Sequence, residues 1–419
     1  MNGSLRRRLA ALLFAAALFP AGLAAAAAPG VPECLECHGD KGITKTLPDG
    51  KEVPLYVDLK EYGRSVHAGS GCVACHADAK APHGALAKVS CGRCHGEAAR
   101  SFAKSSHGKL PGKGIANVPA CSDCHGKHDI RRSSDPAART FRLNVAAACT
   151  QCHKEREGKA GTPEGKVTIA YAQSVHGMAS KAGLLGSAVC SDCHGNHAIL
   201  PGDDPKSAVN RQNIPTLCGK CHSAILDKYE AGVHGKGMRG GIAESPVCTD
   251  CHGEHAITRV EDPASPVAAR NIPRTCSRCH DKEGISSRYA LPKKRFSSYM
   301  DSFHGIAVEY GMTTAANCAS CHGVHDILPS SDPASSINKA NLPKTCGKCH
   351  PNAGPNFARG PVHVEVSPSK APGVFAIRVF YILFISSLGI LFLLHVGFEL
   401  YGRWTRRREG PPGGKGGAQ

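Results

Sequence analysis

Eleven copies of the pentapeptide Cys-x-x-Cys-His consume every one of the 22 cysteines in this 419-residue chain. They are Cys34, Cys37 and His38; Cys72, Cys75 and His76; Cys91, Cys94 and His95; Cys121, Cys124 and His125; Cys149, Cys152 and His153; Cys190, Cys193 and His194; Cys218, Cys221 and His222; Cys248, Cys251 and His252; Cys276, Cys279 and His280; Cys318, Cys321 and His322; and Cys346, Cys349 and His350. The pattern is that of covalent c-type haem attachment, in which two thiols form thioethers and the adjoining imidazole turns onto the iron. A disulfide framework has no need of a His after every second Cys. Zinc sites pair such motifs into four-cysteine sets or join two Cys to two His, and would leave one of the eleven over. Eleven covalently attached haems c are therefore expected.

Aromatic residues make up only 5% of the chain and there is one Trp, so conventional apolar cores cannot be large. From Cys34 to His363 there are about 30 residues per attachment motif, a density at which porphyrins replace much of the side-chain core and folding depends on their attachment. The formal charge of +17 includes Arg6, Arg7 and Arg8 of a leader. Without them, and with two propionates and one ferric charge per haem, it falls to about +3. The basic residues thus compensate propionates, and a nucleic-acid surface is not expected.

Eleven of the 23 histidines sit in the motifs, and one, His395, lies in an apolar run near the carboxyl end. The remaining eleven are His67, His83, His107, His128, His176, His197, His234, His255, His304, His325 and His363, one for each expected haem. His107, His176, His234 and His304 each stand 14 residues before the first Cys of a motif, and His128, His197, His255 and His325 each follow a motif in CHGxH. The second group is on the wrong side to complete the haem of its own motif, so each is expected to reach a neighbouring haem. His67, His83 and His363 are less regular. The match in number and the two repeated offsets together predict mostly bis-histidine ligation. The five Met residues, one an initiator, exclude widespread His/Met ligation, which predicts low potentials because Met ligation raises them.

The soluble region is a tandem repeat. Four units place two motifs 28 residues apart, at Cys121/Cys149, Cys190/Cys218, Cys248/Cys276 and Cys318/Cys346, joined by Asp-Pro and then usually Asn-x-Pro. The first unit departs from this with Asn144-Val145-Ala146. Such segments are turn chemistry, so loop-rich units with short helices are expected. Pairs of units recur after 127 or 128 residues, which predicts that 107–222 superposes on 234–350. The expected organisation is an export signal (1–28), an amino-terminal three-haem region (29–106), a four-haem module (107–233), a second four-haem module with a juxtamembrane linker (234–373), a transmembrane helix (374–402) and a basic cytoplasmic tail (403–419).

The leader has a basic start, an apolar stretch and a small-residue end, with cleavage expected near Ala28; the alternative is an uncleaved amino-terminal anchor. Val379 to Phe398 is a 20-residue run without formal charge, long enough to span a bilayer. Tyr381, Tyr401 and Trp404 suit interfacial belts. Arg403, Arg406, Arg407 and Arg408 put the carboxyl end in the cytoplasm and everything before Val379 outside it, in the bacterial periplasm. His395 within the span reads either as a ligand to a b-type haem shared with another subunit or as a residue near the cytoplasmic interface.

With these motifs and the recurring CHGxH, residues 34–363 resemble the periplasmic multihaem cytochromes c, including the tetrahaem cytochrome c3 type and the doubled-CxxCH cytochromes of anaerobically respiring bacteria. The tail Phe380–Arg408 resembles the helix that joins multihaem domains to cytochrome b561-like membrane domains. These resemblances imply a multihaem cytochrome c fold of tandem haem-packed modules with one carboxyl-terminal membrane helix. They also imply electron transfer in anaerobic respiration. The expected partners are a membrane b-type cytochrome or other quinol-oxidising subunit, and periplasmic or outer-membrane cytochromes as acceptors. Electrons are expected to enter at the motif Cys346, Cys349 and His350. The alternative is a multihaem oxidoreductase acting on a small nitrogen or sulfur oxyanion. Catalytic families often signal an open iron by an altered CxxCK motif, and none occurs here. A third reading is a conductive assembly of chains stacked end to end.

Overall fold

A computed structural model describes residues 31–47, 50–110, 118–153, 164–408 and 410. The segment read as an export signal lies outside the described residues. Two compact units divide the chain, Met1–Ala148 and Cys149–Gln419. Both are built from short helices and loops, and the described strands form one antiparallel hairpin, Thr44–Thr46 with Glu52–Pro54.

The attachment motifs form single helical turns or end somewhat longer helices, as in Cys121–His125, Cys190–His194, Cys248–His252, Cys318–His322, Val145–His153 and Ile272–His280. Helices this short are not stable by propensity and need local caps. The third motif residue supplies one in three motifs. Asp123, Asp192 and Asp250 accept from the main-chain N–H groups of Ala120, Val189 and Val247 at 2.6, 2.7 and 2.6 Å, satisfying donors that a helix start leaves open. Each of four such helices stops at a Gly with positive φ, Gly126 (+89°), Gly195 (+78°), Gly253 (+81°) and Gly323 (+83°). With ψ near 180°, this is backbone that only Gly adopts readily. It is why CHGxH contains its Gly, since the reversal there leads the chain back to the second His.

The Asp-Pro and Asn connection is one repeated clamp. Asp135, Asp204, Asp262 and Asp332 each accept from the N–H two residues on, at 2.8–2.9 Å, forming Asx turns. Asn144, Asn213, Asn271 and Asn341 then each donate through Nδ2 to two carbonyls. One belongs to the Pro eight residues back and the other to the residue six back, at 2.7–3.0 Å. The first unit lacks the Pro after its Asn and keeps the clamp, because the side chain of Asn144 makes it.

Apolar packing is sparse. Among the described residues, the buried apolar set is Ala138, Val189, Ile214, Val247, Ala268, Tyr299 and Val308, and serine is the commonest buried residue. At the carboxyl end, Pro372–Arg408 is one continuous 37-residue helix, none of whose apolar stretch is buried. At 1.5 Å per residue it is about 55 Å long, more than a bilayer core requires.

Candidate functional site: paired imidazoles beside paired thiols

Histidines meet in twos. In the first unit the ring centroids of His38 and His83, His67 and His95, and His76 and His128 are 5.9, 6.0 and 6.3 Å apart. In the second unit the pairs are His176 with His222 (6.3 Å), His194 with His255 (6.0 Å), His234 with His280 (6.2 Å), His252 with His325 (6.0 Å), His304 with His350 (6.0 Å) and His322 with His363 (6.4 Å). Each pair joins one motif His to one His from outside the motifs. Two metal–nitrogen bonds of about 2 Å, with about 1 Å from each nitrogen to its ring centre, separate the centroids of two axial imidazoles by about 6 Å. The spacing therefore fits one iron between each pair.

The pairing follows two registers. The His of CHGxH faces the motif His two motifs earlier, so His128 meets His76, His255 meets His194 and His325 meets His252. The His 14 residues before a motif passes over that motif and meets the His of the next one, as His176 does with His222, His234 with His280 and His304 with His350. His363 closes the series with His322, its Nδ1 3.1 Å from Ser298 Oγ. His107, His125, His153 and His197 lie in the same local contexts: His125 and His153 end their helices, and His107 and His197 sit in turns.

The upstream ligand loop has a consensus that histidine counting misses, aromatic-x-x-Ser-x-His-Gly. Ser105, Ser174 and Ser302 cap the turn that carries His107, His176 and His304. Each accepts from the Gly N–H at 3.0–3.2 Å and donates to the carbonyl of Phe102, Tyr171 or Tyr299 at 2.6–2.7 Å. The phenols of Tyr171, Tyr229 and Tyr299 each donate to a carbonyl 17 residues on, at 2.9–3.0 Å, just ahead of the next motif. Burial holds the Tyr229 and Tyr299 phenols up at about 12, so they stay protonated donors. The Gly is required by space. A Cβ at Gly108, Gly177, Gly235 or Gly305 would stand 2.0–2.2 Å from the aromatic residue's carbonyl oxygen. His67 shares the device, with Ser65 Oγ accepting from its N–H at 3.2 Å and Tyr62 donating to its carbonyl at 3.1 Å.

The two histidine registers are stitched together by the main chain. The residue before an upstream His donates to the Ile two residues after a CHGxH His: Val66 to Ile130, Val175 to Ile257 and Val233 to Ile327, each at 2.8 Å. In the first unit Arg131 adds ion pairs to Glu61 (2.8 Å) and Asp135 (3.1 Å).

The thiols pair as well. Cys34 and Cys72, Cys91 and Cys121, Cys149 and Cys190, Cys218 and Cys248, and Cys276 and Cys318 are within hydrogen-bonding reach. The bond from Cys149 lowers the Cys190 thiol below its ordinary range, and the bond from Cys218 does the same for Cys248. Between these pairs the second cysteine of one motif lies near the next motif, Cys75 near Cys91, Cys193 near Cys221, Cys251 near Cys276 and Cys321 near Cys346. Within each unit, every motif thus adjoins the next. From Cys149 onward, each close pair of first cysteines joins one 28-residue unit to the next. Arg or Lys stands at several junctions: Arg93 donates to the carbonyls of Ala74 and Cys75, Arg278 to that of Asp250, and Lys220 and Lys348 lie near Cys193 and Cys321.

Burial lowers the basicity of the paired rings, His234 to about 4 and His176, His194, His252, His255, His280, His322, His325 and His363 in the same direction. They are therefore neutral at physiological pH, the form that binds iron. Ring orientation is fixed from outside, with His38 Nδ1 2.9 Å from the Leu55 carbonyl and His83 Nδ1 2.9 Å from that of Gly84. Among the described residues the cysteines are free and no group of three or more His, Cys, Asp or Glu is placed to hold a metal ion.

A helix-rich, loop-rich architecture with thiol pairs beside facing imidazoles fits the coordination chemistry of c-type haem. Residues 65–154 match the cytochrome c3 family, which supports the class of multihaem c-type cytochrome and with it haem c and electron transport. No curated protein and no solved structure matches the chain.

Proposed function

We propose that the chain is a membrane-anchored undecahaem cytochrome c that passes electrons between a quinol-oxidising b-type partner in the bacterial inner membrane and periplasmic or extracellular acceptors in anaerobic respiration. The observation that carries this reading is the 5.9–6.4 Å spacing of the imidazole pairs in both units. Haem c, when bound, supplies reversible one-electron chemistry at iron. The protein's part would be to offer two facing imidazoles to each iron, to favour the neutral ring by burial at positions such as His194, His234 and His252, and to bring consecutive motifs close together. Guanidinium and ammonium groups at the junctions favour the reduced, more negative state. Pro372–Arg408 supplies the anchor, with Arg403 and Arg406–Arg408 at its cytoplasmic end. A four- and four-haem modular organisation over 107–233 and 234–373 accompanies this reading.

Intact mass and the pyridine haemochrome of the purified holoprotein test the proposal, together with electron paramagnetic resonance. Eleven haem additions, a spectrum dominated by low-spin iron and reduction by a quinol analogue through the membrane partner are expected. Fewer additions would overturn the count. A substantial high-spin fraction that turns over nitrite, hydroxylamine or a sulfur oxyanion would favour the enzyme reading.

A further inference from the structure

The helix Phe303–Glu309 carries His304, and it ends the series of ligand loops differently from its predecessors. Val175 and Val233, in the register of Phe303, are half-buried and bonded to the Ile of a following CHGxHxI segment. No such segment follows for Phe303, which is 78% exposed, with Ile306 at 46% and Tyr310 at 87%. Positions 303, 306 and 310 have the i, i+3, i+7 spacing of a single helix face. His304 and the buried Val308 lie on another face, toward His350 and the interior. The corresponding triplets of the earlier loops, Val175/Met178/Ala182 and Val233/Lys236/Gly240, hold no aromatic residue. The apolar edge is therefore particular to the last loop, and it begins beside the imidazole pair, the Phe303 ring standing edge-on to that of His304 with centroids 6.4 Å apart.

What lies beside it is the start of the membrane helix. Asp301, two residues before Phe303, is ion-paired with Arg378 at 3.3 Å, and Arg378 immediately precedes the uncharged run from Val379. A second tie runs from Glu365 to Lys294 at 3.1 Å and to Lys370. The neighbouring sequence Lys293-Lys294-Arg295 is basic and exposed. Aromatic side chains flanked by cations at the level where an apolar helix begins have the composition of an interfacial lipid-binding edge.

Resting on the reading of Pro372–Arg408 as a membrane span, we propose that Phe303, Ile306 and Tyr310 insert into the headgroup and acyl boundary of the phospholipid bilayer. This contact holds the His304–His350 pair at the membrane surface, where a lipid-soluble quinol reaches it. The anchor and the edge together fix the orientation of the last motif, which one helix alone leaves free to swivel.

The test places photoreactive p-benzoylphenylalanine singly at Phe303, Tyr310, Phe384 and Leu184 in the full-length holoprotein in phospholipid nanodiscs, with adducts identified by mass spectrometry. Phe384 lies within the apolar run, and Leu184 is an exposed apolar side chain of an earlier loop. Phospholipid adducts from 303 and 310 at a yield comparable with 384, and background from 184, are expected. Adducts from 384 alone would overturn the lipid edge while leaving the span intact. Their absence at all positions would overturn the span and the edge with it. Equal capture from 184 would also overturn the proposal, because labelling would then not distinguish this edge.

Discussion

Gly235→Ala should remove one axial ligand without touching a ligand residue. A Cβ there would stand 2.2 Å from the Tyr229 carbonyl oxygen and 2.6 Å from Glu230 Cα, where ordinary contact begins at 3.4 Å. Both obstacles are main chain, so no rotamer relieves them, and the loop must retreat by about 1 Å, at a typical overpacking cost of about 1–3 kcal/mol. His234 is the adjoining residue, and its ring now lies 6.2 Å from that of His280. A retreat of that size exceeds what a bond of about 2 Å tolerates. The iron held between His234 and His280 should become high-spin, about one-eleventh of the total on the proposed count, and free imidazole should restore it. Melting followed at the haem absorption should fall by about 2–4 °C per kcal/mol lost. Gly284→Ala, where a Cβ meets nothing within 4 Å, is the matched control and should leave both readouts intact. Low-spin iron and unchanged melting in Gly235→Ala would refute the argument that this Gly leaves required space for the ligand loop's own backbone rather than being an incidental choice.

His255→Ala should open the iron held at Cys190 and Cys193, since His255 faces His194 at 6.0 Å. Replacing Cys190 and Cys193 as well should then abolish the new high-spin signal, whereas replacing Cys248 and Cys251 should not; the opposite pattern would sink the pairing register. Arg278→Gln removes a cation that lies beside Cys251 and donates to Asp250, so a redox titration should show the adjoining haems becoming harder to reduce, by about 59 mV for each tenfold change in the reduction equilibrium; an unchanged titration curve would remove the charge argument. Arg131, and then Arg64, hold the Glu61 carboxyl below its ordinary range. Because that pKa is depressed in the folded chain, the stabilisation is present above the unfolded carboxylate pKa and is lost as pH falls through the folded one. Glu61→Gln should therefore weaken melting at neutral pH and flatten the acid limb of the melting curve, and a parallel acid limb would contradict this.

Much of the site was legible in the chain because covalent attachment is a local act. Two thiols and an imidazole must lie within five residues, so the motif Cys34, Cys37 and His38 and its ten successors can be read by eye. The Asp-Pro and Asn connection was visible for the same reason, although Asn144 showed that the amide alone, without the following Pro, makes the clamp. The role of the aromatic residue and Ser before each upstream His was also in the text, as Tyr171 and Ser174 before His176, but it had no meaning until the carbonyl that both groups address was seen.

The apolar run after Arg378 declared itself by length, and so did the eleven histidines left outside the motifs. Their partners did not. His176 reaches past the motif at Cys190 to His222, while His255 reaches back past the motif at Cys218 to His194. No spacing rule read along one strand of sequence chooses between these destinations. Axial ligation asks only that two rings stand about 6 Å apart in space, and which rings do so is decided by the Gly turn in CHGxH, the Val-to-Ile main-chain bonds and the thiol contacts between motifs. The sequence by itself therefore determined how many candidate ligands there are and of what kind, and the tertiary structure alone decided which of them face each other.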